Sequence, residues 1–428
     1  MRAAMLTLAV LAAATPRLSA QASPGQEGTF LIRGATIWTG TGQTLQNANV
    51  VVRDGLIEAV GPDATAPGAV EIDARGKFVY PGLIDSYTPL GLSEIGGIST
   101  MNLRSELGEF NPHMRAVVAI NVDSDMMAIT RANGITSVIT APSGGVISGQ
   151  AALIGTAGWT WEDMAVERTA AFVINYPREP SFGFGFGGGA NPAAQRAARE
   201  RVETQIRELK TVLTTARAYD RQRTAGAEEV DLMYEALRPL MQGRVPALVS
   251  ADTEQQIRAV VELGREYGIR VIINGGDEAW KVRELLAQND VPVVLGSIQS
   301  NPPADAPYDA IFAQPGVLHE AGVKFAFSTG GSANARHVPY HAALAVGYGL
   351  PKDAALRALT IWPAEMFGAA DRIGTIEPGK LANLFIATGD PLDIRSQVTE
   401  VFIKGRRVPM DDRHTRLYQK YNGRPAGN

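Results

Sequence analysis

Five histidines are the side chains in this sequence best suited to bind a transition metal, because the chain has no cysteine. They are His113, His319, His337, His341 and His414. His337 and His341 are four residues apart, a spacing that places two ligands on one face of a helix. Pro339 lies between them and is compatible with a helix only in its first turn. Zinc needs three or four ligands, so the pair alone predicts no metal centre, and zinc bound through His337 and His341 stays an alternative.

Carboxylates follow several apolar runs that have the length of buried strands: Asp85, Asp252, Asp277 and Glu278. Two carboxylates with different pKa values can serve as acid and base in one reaction. Asp277 and Glu278 also precede a helical pattern that begins near Ala279. We therefore interpret them as capping residues of that helix and keep a carboxylate mechanism as the alternative.

Neutral polar side chains occupy similar positions at the ends of apolar runs: Tyr87, Asn274, Ser297 and Thr329. Each can donate or accept a hydrogen bond, and none carries a charge at neutral pH. If these side chains line one pocket, they suit a small polar ligand that binds without a metal.

Strand and helix patterns alternate through the central part of the chain. The strand candidates are Phe78–Asp85, Ile135–Thr140, Ala171–Asn175, Ala247–Ser250, Arg270–Asn274, Val291–Gly296 and Lys324–Thr329. Helical patterns separate them, and residues 253–267 are a clear case, with an apolar face repeating at helical spacing. This alternation predicts a parallel sheet covered by helices, in the manner of a (β/α)8 TIM-like barrel. An eighth strand is not obvious; it lies in Val146–Ile154 or is replaced by an irregular segment.

Short β patterns flank this central region on both sides. Residues 29–77 contain several of them, and Asp54-Gly55 joins two apolar runs in the way that a tight hairpin requires. Residues 369–410 contain similar short β patterns. We predict a small β-sandwich domain built from 29–77 and 369–410, with the barrel spanning 78–368.

The N-terminus has the features of a secretory signal peptide. Arg2 precedes an apolar run, Ala3–Ala14, and Leu18-Ser19-Ala20 offers a small-residue cleavage site. We predict a signal peptide at residues 1–20 and a periplasmic or secreted protein; an uncleaved anchor and an apolar tail without a targeting role are the alternatives. The net charge of −4 gives no reason to expect nucleic acid, or a membrane once the peptide is cleaved, as a partner.

A glycine-rich run, Ser181–Ala190, interrupts the central region. It lacks the lysine that would follow it in a phosphate-binding loop. A lid with aromatic tips and a disordered insertion both fit this composition.

Three runs resemble the amidohydrolase superfamily: Pro81-Gly-Leu-Ile-Asp85, Ala358-Leu-Thr-Ile-Trp-Pro-Ala364 and Arg372-Ile-Gly-Thr-Ile-Glu-Pro-Gly-Lys-Leu-Ala-Asn-Leu384. The three runs follow one another along the chain in the same order as in the family. Within the family, the local sequence most resembles the exported, imidazolonepropionase-like group. The resemblance implies a (β/α)8 barrel, a composite β-sandwich, and hydrolysis of C–N bonds in linear or cyclic amides by one or two metal ions.

The residues that the resemblance assigns to the metal do not carry metal-binding side chains here. The family's two histidines after the first barrel strand correspond to Tyr87 and Pro89. Its later histidines correspond to Asn274 and Gly296, and its aspartate to Gly330. The segment Leu248–Ala251 has no lysine to replace the carboxylated lysine of the fourth strand. We therefore predict no metal and take these five positions as candidates for the pocket lining, with Asp85, Thr329, His337 and His341 as nearby polar candidates.

Two functions remain open on this basis. The first is an exported amidohydrolase-family hydrolase of C–N bonds that lacks the metal and has weak or no activity. The second is a non-catalytic protein that binds a small polar, amide-like ligand, or an inactive partner in an oligomer with a related amidohydrolase. Fold analogy alone does not decide between them.

Overall fold

The computed structural model describes residues 25–94, 102–178, 192–303 and 305–424. The predicted signal peptide and the glycine-rich run lie outside these ranges. The strands are β1 Phe30–Trp38, β2 Thr44–Arg53, β3 Leu56–Gly61, β4 Val70–Asp73, β5 Phe78–Pro81, β6 Leu83–Thr88, β7 Ile135–Thr140, β8 Ile147–Gly155, β9 Ala165–Asn175, β10 Ala247–Ala251, β11 Val271–Gly275, β12 Val293–Leu295, β13 Phe325–Phe327, β14 Leu384–Ala387, β15 Val398–Ile403 and β16 Arg406–Val408.

Helices occupy most of the connections between the later strands. They are α1 Asp125–Arg131, α2 Trp161–Met164, α3 Pro192–Thr224, α4 Leu232–Met241, α5 Glu254–Tyr267, α6 Arg283–Gln288, α7 Ala310–Glu320, α8 Val338–Gly347, α9 Lys352–Ala358, α10 Ile361–Met366 and α11 Arg413–Asn422. In the described ranges, no helix combines the length and the apolar content needed to cross a lipid bilayer.

One sheet combines strands from both ends of the chain. Its order is β16-β15-β14-β5-β1-β2-β3, with β4 paired to β1. Asp54 and Gly55 join β2 to β3 with positive φ angles of 51° and 83°, as a two-residue hairpin requires. The predicted β domain from both termini is therefore confirmed.

The second sheet contains eight strands in the order β13-β12-β11-β10-β9-β8-β7-β6. Every neighbouring pair is parallel except the two that involve β8, which is antiparallel to β7 and to β9. The eighth strand lies where one of the two alternatives put it, near Val146–Ile154. It runs against its neighbours because residues 141–146 form too short a connection for a helical crossover. The predicted TIM-like barrel is confirmed, with this reversal as a local departure.

Hydrogen bonds from the segment after β13 to β6 join the two ends of the barrel sheet. The Gly330 amide donates to the Tyr87 carbonyl at 3.1 Å. The Thr329 amide and hydroxyl donate to the Asp85 carboxylate at 3.1 and 2.5 Å. We call these contacts the barrel seam.

Gly82 separates the two sheets. The predicted strand Phe78–Asp85 is divided at this residue, so that β5 pairs with β1 and β14 while β6 begins the barrel. A Cβ atom at Gly82 would lie 1.9 Å from Thr136 Oγ1, so only glycine fits this approach. The barrel sheet therefore begins at Leu83 and not at Phe78.

Candidate functional site

The pleat of the barrel strands decides which side chains face the interior. In β10, Leu248 packs in the apolar cluster inside the barrel, and Ser250, two residues later, lines a cavity above it. Ile272 and Asn274 repeat this arrangement in β11. Residues two positions apart in a strand point to the same face. A residue that follows an interior apolar residue by two positions therefore also faces the barrel interior, nearer its carboxyl end. That end is where barrel proteins bind their ligands.

The cavity has a volume of about 430 Å³ and brings together four of the five pocket-lining candidates. Tyr87, Asn274, Gly296 and Gly330 all line it. Pro89 does not line it, and neither do the four polar candidates Asp85, Thr329, His337 and His341. A second cavity of about 430 Å³ lies at the amino ends of the strands, away from these residues.

Neutral hydrogen-bonding groups form the floor and one wall of the strand-end cavity. The Asn274 Nδ2 group donates to Ser250 Oγ at 3.2 Å. The Asn175 Nδ2 group donates to the Gly145 carbonyl at 2.8 Å and to Ser148 Oγ at 3.0 Å. Burial raises the pKa of Tyr87, an effect that the nearby Arg104 charge opposes, so the phenol stays protonated.

The two charged residues that line the cavity, Arg178 and Asp252, follow the ends of β9 and β10. Arg178 Nη1 lies 3.0 Å from Asp252 Oδ2. Burial raises the pKa of Asp252, and burial together with the Asp252 charge raises the pKa of Asp277. These two carboxylates therefore interact and hold protons more tightly than solvated aspartates.

Glu278 has a different role from the one predicted. It is the N-cap residue of the 3-10 turn Ala279–Val282, but its side chain makes no capping hydrogen bond there. Its carboxylate instead accepts from the Glu254 amide in the first turn of α5, at 2.7 Å, and from Lys281 Nζ at 2.7 Å. The predicted cap of the following helix is therefore wrong for Glu278, because a neighbouring helix N-terminus offers its side chain a donor.

Asp85 lies in the barrel seam, behind the cavity wall. Its side chain is fully buried, and burial raises its pKa to about 7 against the opposing effect of its hydrogen bonds. The bonds to Thr329 and a 3.4 Å contact from the Tyr87 amide tie both cavity-lining segments to one carboxylate. Asp85 and Thr329 therefore position the site without lining it.

The two histidines at the start of α8 are engaged with protein groups. His341 is buried, and its Nδ1 atom lies 3.1 Å from the Ser328 carbonyl, which fixes the proton on that nitrogen. Burial lowers the pKa of His341 to about 4. His337 Nε2 accepts from Arg336 Nε at 3.0 Å, and its pKa is lowered by burial and by the Arg336 charge. Pro339 lies in the first turn of α8, as expected if the helix was to tolerate it.

The residues at the expected metal positions do not fit a metal ion. Within the described ranges, no group of three or more His, Asp or Glu side chains is arranged to hold one. The cavity supplies hydroxyl, amide and backbone groups at the places where the family's ligands would stand, and glycine at two of them. An arginine that donates to His337 also disfavours a cation there.

Ser250, Asn175 and Gln205 line the cavity but were not among the sequence candidates. The sequence did contain a signal for Ser250, because it lies two residues after Leu248 on the same face of one strand. No sequence pattern indicated Gln205 as a cavity residue, because it lies on α3, far from any strand end in sequence.

The chain resembles known proteins in both sequence and fold. A family profile described as Amidohydrolase family matches residues 309–408. The structure of an amidohydrolase from Thermotoga maritima MSB8 superimposes with a TM-score of 0.78 at 26% identity, covering 89% of this chain and 99% of that one. The chain belongs to the amidohydrolase superfamily.

Curated relatives of this superfamily member cover different shares of its length. Imidazolonepropionase from Porphyromonas gingivalis is 25% identical over 372 residues, which is 79% of this chain and 82% of the relative. Amidohydrolase tasK from Hapsidospora irregularis is 26% identical over 422 residues, but the chain spans only 42% of its length. Membership supports a hydrolase function at the level of the family.

Proposed function

We propose that this superfamily member binds a small polar, amide-like ligand in the strand-end cavity, without a family-type metal and with weak or no hydrolysis of C–N bonds. The observation that carries the proposal is the convergence of four uncharged residues, Tyr87, Asn274, Gly296 and Gly330, on one cavity whose charged lining is confined to a single ion pair. These are the positions where the family places its metal ligands.

The chemistry of these groups suits binding better than water activation. Bulk water attacks an amide slowly at neutral pH, and the family overcomes this with a metal that lowers the pKa of bound water. Asn274, Ser250 and Tyr87 can each donate or accept hydrogen bonds, which matches both ends of an amide group. They carry no charge that would deprotonate water.

Calorimetric titration with hydantoin and with N-acetylglycine amide tests the binding. We expect both amides to bind, and Asn274→Leu to weaken them by about tenfold, because a good buried hydrogen bond contributes about 1 kcal/mol and an unmatched ligand group adds a desolvation cost. The control is Gln288→Leu, at the end of α6 and outside the cavity. Absence of binding to the unaltered protein would overturn the proposal.

Metal analysis of the purified protein tests the proposed absence of a family-type metal. We expect no stoichiometric zinc after dialysis, and no change in residual metal on replacing His337 or His341 by alanine. Tightly bound zinc at one equivalent, lost in both variants, would establish the zinc alternative.

A second candidate is slow hydrolysis by carboxylates, favoured by the raised pKa values of the interacting Asp252 and Asp277. One protonated carboxyl would give its proton to the leaving nitrogen, and the ionised partner would take a proton from the attacking water. Turnover that depends on pH through two groups, and that is lost in both Asp252→Asn and Asp277→Asn, would support this candidate. Activity unchanged in both variants would exclude it.

We further propose that the protein is periplasmic or secreted, on the strength of the signal-like residues 1–20. N-terminal sequencing of the protein from the extracytoplasmic fraction should begin at Gln21. Accumulation in the cytoplasm with an intact N-terminus would contradict this.

A further inference from the structure

The strand-end cavity opens into a larger groove between α3 and α5. The groove has a volume of about 1230 Å³, and six residues line both spaces: Tyr176, Pro177, Arg178, Gln205, Asp252 and Gln256. A ligand pocket for a compound of ordinary size measures about 300–1,000 Å³. A small amide would therefore fill the cavity and leave the groove empty.

Two polar groups at the junction of the cavity and the groove lack protein partners. Neither the Gln205 amide nor the Tyr176 hydroxyl makes a hydrogen bond to any residue in the described ranges, and both side chains are partly buried. A glutamine amide offers donors and an acceptor together, so a second amide group is its natural complement.

The groove beyond the junction is aliphatic along α3 and contains one cationic side chain of that helix. Ala198, Val202 and Ile206 line it, together with Arg201. Arg201 lies one helical turn before Gln205, a rise of about 6 Å, which is the length of one to two extended peptide units. Its salt bridge with Glu109 is 3.5 Å long and largely exposed, so it contributes little and leaves guanidinium donors for a ligand.

We propose that the natural ligand is elongated: one amide occupies the strand-end cavity, a second amide contacts Gln205, and a terminal carboxylate contacts Arg201. This inference rests on the proposed function, because it assumes that the first amide binds in the cavity. It narrows the ligand class to acylated peptide-like acids.

Calorimetric titration with three probes tests the inference: N-acetylglycine amide, N-acetyl-trialanine amide and N-acetyl-trialanine. We expect the longer amide to bind more tightly than the short one, because it adds contacts in the groove. We expect the free acid to bind more tightly than its amide by up to about fivefold, which corresponds to the upper end of the range for an exposed ion pair, about 1 kcal/mol.

Substitutions in α3 distinguish a direct contact between Arg201 and the ligand carboxylate from long-range attraction by the positive charges of the helix. Arg201→Gln should remove the preference for the acid over N-acetyl-trialanine amide, while Arg201→Lys should keep part of that preference. Arg207→Gln is the matched control, because Arg207 is exposed on the same helix, bonds to Thr204 and lies outside the groove.

The outcomes distinguish this inference from the function on which it rests. If no probe binds, the proposed function fails and the inference fails with it. If the short amide binds and the longer probes bind no more tightly, only the inference is overturned. Equal loss of preference in Arg201→Gln and Arg207→Gln would show long-range attraction and would also overturn it.

Discussion

At the scale of single residues, Asp85 is the group whose chemistry differs most from its solvated form. It accepts hydrogen bonds from Thr329 and is fully buried, and the balance leaves its pKa near 7. Because Tyr87 lines the cavity and Thr329 lies between two residues that do, the protonation state of one buried carboxyl affects both the barrel seam and the site wall.

Asp85→Asn tests the raised pKa of Asp85 through the pH dependence of the free energy of unfolding. The folded protein holds the Asp85 proton more tightly than the unfolded chain, so the contribution of Asp85 is present at low pH and is lost as the pH rises from about 4 to about 7. Asparagine cannot ionise, so we expect the free energy of unfolding of the unaltered protein, minus that of the variant, to fall across this range.

Urea unfolding at pH values from 4 to 8 measures this difference. The lowered pKa of His341 makes stability rise with pH between about 4 and 6.5, but it acts in both proteins and cancels in the comparison. Asp85→Ala is the control, since it should be destabilised at every pH by the loss of the acceptor for Thr329. A difference independent of pH would contradict the assigned pKa.

At the scale of elements, the N-terminus of α5 links the helix to the cavity wall. Thr253 accepts from the Gln256 amide at 3.3 Å, and Gln256 Oε1 accepts from the Thr253 amide at 3.2 Å and the Asp252 amide at 3.0 Å. This capping box fixes the chain at the point where Asp252 leaves β10.

Thr253→Ala should lower the free energy of unfolding by about 1 kcal/mol through loss of the cap. The matched control is Thr211→Ala in α3, where threonine is exposed in the helix interior and alanine should be neutral or stabilising by a few tenths of a kcal/mol. Equal effects of the two substitutions in urea unfolding would show that the cap contributes nothing specific.

At the scale of the whole molecule, the terminal sheet and the barrel share a packed interface. Phe385 of β14 stacks on Tyr80 of β5, with ring centroids 5.5 Å apart, and its ring would lie 3.1 Å from a Cβ atom at Gly134, just before β7. Trp38 Nε1 in β1 donates to Asp353 in α9 at 3.1 Å. The two sheets therefore form one packed unit, although Gly82 alone connects β5 to β6.

Phe385→Ala should lower the free energy of unfolding by about 3–5 kcal/mol, the usual cost of removing a buried phenylalanine. If the interface couples the sheets, circular dichroism and tryptophan fluorescence should report the same shifted midpoint. Tyr418→Ala, on the exposed face of α11, is the control and should change little. Two separate transitions in Phe385→Ala would show that the sheets unfold independently.

Local patterns predicted most of the strands and part of the site. The Asp54-Gly55 hairpin, the strand ends at Asn274 and the region after β13 all follow from residue types that act on their immediate neighbours. The assignment of Asp277 and Glu278 as caps failed, because neither side chain makes a capping hydrogen bond to the turn Ala279–Val282. The α5 amide that binds Glu278 is distant in sequence and could not enter a local pattern.

By itself, the sequence determined that this chain forms a barrel with a β domain from both termini, and that the expected metal positions hold Tyr87, Pro89, Asn274, Gly296 and Gly330. Only the tertiary structure decided that four of these five share one cavity, that β8 runs antiparallel, and that Gln205 joins the cavity to a groove. The reason is physical: alternation and turn chemistry are encoded within a few residues, whereas strand order and helix placement depend on contacts between distant parts of the chain.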